Sequence, residues 1–183
     1  MSEGSGFILQ PRLRPDPQIA VRFEPRLWSL RLLVLLRPEG SHIHRAVAKI
    51  VTGANPADSY WRTGNMLGAI DRSTGRTASC VRGTGAQLTR DEVHPDTGQP
   101  VMGFEITQWS ELCDLTHQAA SVFPGIRTQS WDVALTDQGP VFVEVNFGGD
   151  LNLAQLAYGE GVLDEAYRAH LRRCGFRSKQ GIR

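Results

Sequence analysis

The stretch from Trp131 to Asn146 constrains this chain more than any other, because both of its arms alternate with the two-residue period of a half-buried strand. Between the arms, Asp137-Gln138-Gly139 suits a three-residue hairpin loop with glycine at the left-handed position. If Thr136 faces Pro140, Asp132 lies opposite Glu144, and Asn146 follows two residues on along the same face. The other face then collects Trp131, Val133, Leu135, Val141, Val143 and Val145 as a core face. A loop one residue longer or shorter would turn Asp132 to the opposite side of the sheet.

Two carboxylates facing each other across a ladder repel unless a cation or proton joins them. Magnesium favours hard oxygen ligands and keeps much of its water, so one or two carboxylates with substrate phosphates are its usual company. Asp132, Glu144 and Asn146 meet that description, although a hairpin with a solvated polar face fits the alternation equally well. On this pairing Phe142 and Ala134 share the polar face, where an apolar ring beside a metal suits an adenine pocket better than open solvent.

The rest of the chain reads as α+β, an antiparallel sheet flanked by helices. Phe7 to Gln10 looks like a strand ended by Pro11. Ile19 to Phe23, Arg26 to Arg37 and Ile43 to Val51 read as an antiparallel meander broken by Pro25 and by Pro38-Glu39-Gly40. Gly53 to Gly64 reads as a long loop, Asn65 to Asp71 and Thr77 to Arg82 as short strands, and Gly83 to Gly103 as a surface excursion. Thr107 is placed to cap a helix running to Pro124-Gly125, Asp150 a short helix through Tyr158, and Leu163 to Cys174 forms a last helical stripe ended by Gly175. Residues 1–175 make one domain and 176–183 a basic tail.

Composition narrows the function classes. Twenty Lys and Arg against 19 Asp and Glu give a net charge of +1, which offers no general pull toward nucleic acid or an anionic membrane. Cys80, Cys113 and Cys174 are odd in number and far apart, so a disulfide framework or zinc site is not indicated and a reducing cytoplasm is expected. Leu32 to Leu36 is far short of a membrane span, and a soluble protein is expected. Gly83-Thr-Gly85 begins like a dinucleotide fingerprint, but position 88 is Leu and no apolar helix follows. His42 and His44 share a strand with no third ligand near in sequence. There is no G-x-S-x-G and no Walker lysine loop.

The order strand, Asp132, turn, Glu144-x-Asn146 and Gly-rich bend resembles the carboxy-terminal metal motif of the ATP-grasp superfamily. More narrowly, Ile8-Leu-Gln-Pro-Arg-Leu13, Ser29-Leu-Arg31, Asp58-Ser-Tyr-Trp-Arg-Thr-Gly-Asn65, Asp71-Arg-Ser-Thr-Gly75, His94-Pro-Asp-Thr-Gly98 and Trp131-Asp132 fall in the order seen in sugar-transfer-associated ATP-grasp proteins. These are similar to glutamate-ligase-like enzymes. The resemblance covers nearly the whole chain and implies an ATP-grasp carboxy-terminal catalytic subdomain.

That resemblance implies ATP and Mg2+ as cofactors, with Asp132, Glu144 and Asn146 as metal ligands. It implies Gln10 and Leu13 on the segment passing the adenine, Arg31 reaching the transferred phosphate, and Arg62 and Asn65 near the acceptor or phosphate site. Phe142 is expected to line the adenine pocket. The implied reaction joins a small-molecule carboxylate to an amine through an acyl phosphate, with a saccharide-linked or amino-acid substrate. Phosphorylation of a hydroxyl and a non-catalytic nucleotide-binding or interaction role are the alternatives. ATP-grasp enzymes also carry, ahead of the adenine segment, a lid with two phosphate-binding lysines. Only six residues precede Phe7 here, and the lysines are Lys49 and Lys179. The expectation is therefore a carboxy-terminal portion whose lysine-bearing half is lost, separate or borrowed from a partner.

Overall fold

The computed structural model of the chain describes residues 9–55, 58, 64–83, 85–149 and 151–177. A seven-stranded sheet, antiparallel throughout, organises them. Its strands are β1 (Ser29–Arg37), β2 (Gly40–Ile50), β3 (Met66–Asp71), β4 (Arg76–Arg82), β5 (Thr89–Arg90), β6 (Thr128–Thr136) and β7 (Gly139–Phe147), in the spatial order β5-β4-β3-β2-β1-β6-β7. β1 sits near the middle, with β2 on one side and β6 on the other. Residues far apart in sequence therefore become neighbours across β2-β1-β6.

The two-residue period divides β1 between two cores. Trp28, Leu30, Leu32 and Val34 enter one cluster with Ile19, Phe23, Phe104, Leu112 and Trp131. Leu33 and Leu35 enter the other with Val47, Leu67, Leu153, Ala157 and Tyr167. Both faces are thus dry over much of the sheet, which explains the nearly continuous Leu32–Leu36 run. Helices α1 (Pro17–Phe23) and α2 (Trp109–Ser121) serve the first face, and α3 (Leu151–Tyr158) and α4 (Glu165–Arg173) the second.

Several local expectations are corrected. Ile19 to Phe23 belongs to a helix rather than a strand. Asp16 accepts hydrogen bonds from the backbone of Gln18 (2.8 Å) and Ile19 (3.3 Å), and Pro17 occupies the first turn, so capping overrides the β-branched composition. Thr107 does not cap α2. Gln108 takes the cap position in a left-handed conformation (φ 55°), and the Thr107 hydroxyl is buried with no hydrogen-bond partner among the described residues. Of the strand expected from Phe7 to Gln10, residues 7 and 8 lie outside the described residues, Leu9 and Gln10 are in no strand, and Pro15 bridges Thr136.

The 83–103 segment is not wholly superficial. Val101 and His94 are fully buried, His94 donates from Nε2 to the Val51 carbonyl (3.1 Å), and its ring stacks on Trp28. Cys80, Cys113 and Cys174 are free thiols. Among the described residues, no helix is long and apolar enough to cross a membrane.

Candidate functional site

On the face shared with α3 and α4, the residues at even steps from Leu33 and Val47 become polar toward one end of the strands. Ser29 and Arg31 stand on β1, Lys49 on β2, and Ser130 and Asp132 on β6. Ser29, Lys49 and Asp132 border a cleft of about 1260 Å3, whose wall is completed by Arg12, Leu13, Arg26, Val143 and Glu144 among others, and Arg31 reaches it through its contact with Asp132.

Register brings the charges together. Arg31 pairs with Asp132 across β1-β6, and Ser29 pairs with Lys49 across β1-β2. Arg31 donates from Nε to Asp132 Oδ1 (2.8 Å) and from Nη2 to Oδ2 (2.6 Å), a two-pronged guanidinium–carboxylate contact. Lys49 Nζ lies 3.3 Å from Asp132 Oδ2 and 3.5 Å from Asp58 Oδ2, and the Ser29 hydroxyl donates to Asp58. Burial by itself would raise the Asp132 carboxyl. The Arg31 hydrogen bonds and the Lys49 charge outweigh it and hold the group below the ordinary carboxylate range.

The hairpin delivers the expected pair by an unexpected route. Its turn is tighter than the three-residue loop read from sequence, since Thr136 pairs with Gly139 rather than Pro140. A bulge between Asp132 and Val133 then absorbs one extra residue on β7, so Asp132 still faces Glu144. Residues between turn and bulge are shifted to the other face as a result. Phe142 pairs with Val133, packs against the core and meets Trp131 edge-on at 5.5 Å. Its placement beside an adenine pocket is corrected on that ground. Val143, expected in the core, is 60% exposed and lines the cleft instead.

Glu144 is exposed, faces Asp132 across the β6-β7 ladder, and receives a hydrogen bond from Asn146 Nδ2 at 2.9 Å. Asn146 pairs with Ser130, one step along from the Asp132–Glu144 pair on the same face. Among the described residues, no group of three or more His, Cys, Asp and Glu side chains is placed to hold a metal ion. The candidate set is instead two carboxylates and an amide. These are hard oxygen donors of the kind magnesium takes, and the charge of Asp132 is also offset by Arg31 and Lys49. Asp132 accepts three contacts out of roughly four lone-pair directions.

The remaining expected residues divide. Leu13 lines the cleft, whereas Gln10 is exposed and does not border it. Asn65 is buried with its Oδ1 accepting from Thr52 N (3.0 Å) and Asn55 Nδ2 (2.9 Å), which ties down the strand end rather than facing the cleft. Arg62 lies outside the described residues. Lys49 and Asp58 were not among the site residues expected from sequence. The available signal was a lysine in the midst of an apolar strand, at even spacing from Val47 and Val51, where an ammonium demands a buried partner.

A family description, sugar-transfer associated ATP-grasp, matches residues 2–170. The chain belongs to that family. No curated protein and no solved structure gives a significant match to it. Membership in this ATP-grasp family implies ATP-dependent, ligase-like activity. The seven-stranded antiparallel sheet with four helices is consistent with an ATP-grasp subdomain.

Proposed function

We propose that this ATP-grasp domain takes part in ATP- and magnesium-dependent joining of a carboxylate to an amine on a saccharide-linked or amino-acid substrate. The observation that carries the reading is the facing of Asp132 and Glu144 in one cleft, with Asn146 hydrogen-bonded to Glu144 and with Arg31 and Lys49 against Asp132. Asp132, Glu144 and Asn146 would hold magnesium, which supplies neutralisation of polyphosphate charge when bound.

Arg31, oriented by its two-pronged contact with Asp132, is the cation proposed to meet the transferred phosphoryl group. In the proposed sequence, a substrate carboxylate oxygen bonds to the γ-phosphorus and ADP leaves. The amine nitrogen then bonds to the carbonyl carbon, loses a proton, and phosphate departs with the electron pair of the broken bond. Leu13 and Val143 offer apolar surface for the base on the cleft wall.

The test is ATP titration of the chain with and without magnesium, beside Asp132→Asn and Glu144→Gln, followed by product analysis with and without an amine. The expected result is magnesium-dependent affinity that both substitutions remove. Unchanged nucleotide affinity in both variants would overturn the metal assignment. Phosphate transfer that needs no amine would favour a hydroxyl kinase.

One observation favours a second, non-catalytic reading. Asp132 is already met by two cations, and an ion network of this kind can serve as a structural anchor by itself. Magnesium-independent behaviour of the wild-type chain would support it.

A further inference from the structure

The cations of the cleft are not equally available. Lys49 bridges Asp58 and Asp132, and Arg31 grips Asp132 with two donors. Arg26 sits 3.2 Å from a Glu24 carboxylate oxygen and donates to the Asn55 carbonyl at 3.2 Å. Arg12 and Arg14 also line the cleft, yet no ion pair involving either is found among the described residues.

We propose that Arg12 and Arg14 form the cationic rim that receives the polyphosphate tail of the nucleotide. The inference rests on the ATP-dependent reading of this cleft and adds residues that the reading did not include. The charge balance of the floor leads there. Arg31 and Lys49 are two cations set against three carboxylates, Asp58, Asp132 and Glu144, so the floor alone is net negative. A triphosphate brings roughly four negative charges, and one divalent ion offsets only about half of them. Even with Arg31 turned to the transferred phosphoryl group, drawing Lys49 away as well would leave Asp58 and the buried Asp132 short of a partner, which is costly. Cations not already engaged must supply the difference.

The backbone that bears the two arginines is fixed relative to the floor. Asp137 N donates to the Arg14 carbonyl (3.1 Å), Asp16 N to the Leu135 carbonyl (3.0 Å), and Pro15 bridges Thr136. All three anchors lie at the end of β6, the strand that carries Asp132. Exposed and alternating about Leu13, the two guanidiniums reach the cleft from its edge, and their planar forks suit phosphate oxygens.

The test titrates wild type and an Arg12→Gln/Arg14→Gln double variant with MgATP, MgADP and adenosine over a range of ionic strength. Both side chains are exposed, so the variant is expected to keep the wild-type circular dichroism and unfolding midpoint. Its ATP affinity should fall by roughly tenfold or more, with adenosine affinity unchanged and the salt dependence of ATP binding flattened. Wild-type ATP affinity in the double variant, with Asp132→Asn still defective, overturns the arginine assignment alone. A wild-type chain that binds no nucleotide overturns the underlying reading and this inference with it. Loss confined to an added phosphorylated sugar, glucose 6-phosphate as the probe, with ATP binding intact, assigns the rim to an acceptor and overturns the proposal.

Discussion

Lys49 Nζ stands 3.3 Å from Asp132 Oδ2 although 83 residues separate the two along the chain, and both side chains are about nine-tenths buried. Their positions on β2 and β6 flank β1, so the contact spans three strands. Replacing Lys49 by Met keeps the stem and removes the charge, leaving Asp58 without its cation and Asp132 with Arg31 alone. The expected cost is about 2–3 kcal/mol of stability, measured by urea unfolding. No loss would show the ammonium to be a bystander.

Phe142 faces Trp131 and Val133 rather than the cleft. Phe142→Ala should therefore destabilise the domain by roughly 2–3 kcal/mol through lost packing, while ATP affinity of the folded fraction stays at the wild-type level. A selective loss of nucleotide affinity at unchanged stability would return the ring to the pocket.

His44 is buried beside Tyr167, and burial pulls its pKa below the ordinary 6.5 against the opposing pull of the Val162 carbonyl and Asp164, with Arg45 and Arg72 adding to the depression. Burial, aided by Arg37 and Arg127, acts in the same direction on His170. Both rings are neutral in folded and unfolded chains above pH 6.5, so stability is complete there. As pH falls through that value toward the folded-state pKa, the unfolded chain takes up protons that the folded one resists, and stability drops. Urea midpoints should decline from pH 7.5 to 5.5, and His44→Gln or His170→Gln should flatten the decline. A slope untouched by either change would locate the titration elsewhere.

Gly75 has φ +72°, and a Cβ there would lie 2.5 Å from Trp109 Cγ and 2.6 Å from its Cβ. Trp109 has little room to retreat, because its indole donates to the Arg72 carbonyl at 2.9 Å. Gly75→Ala combines left-handed strain with overpacking and should cost roughly 2–4 kcal/mol in chemical denaturation. A change below about 1 kcal/mol would mean that the α2 start can shift freely.

The strands from Arg26 to Arg82 were legible in the sequence because period, β-branched runs and turn residues are local signals, each carried within a few residues. The facing of Asp132 and Glu144 was reached only because two departures cancel, a turn one residue tighter than the period suggests and a bulge on β7 that restores the register. Other features were beyond that reach. The Asp16 cap overrode the β-like look of Ile19 to Phe23, and the β7 bulge exchanged the faces of Phe142 and Val143 without changing one residue of the pattern. By itself the sequence determined an antiparallel α+β chain of the sugar-transfer associated ATP-grasp family with one acidic hairpin. Only the tertiary structure decided that Ser29, Arg31, Lys49 and Asp58 would close around Asp132. Strand order and register are set by burying both faces of the sheet, and that is a property of the whole chain rather than of any local segment.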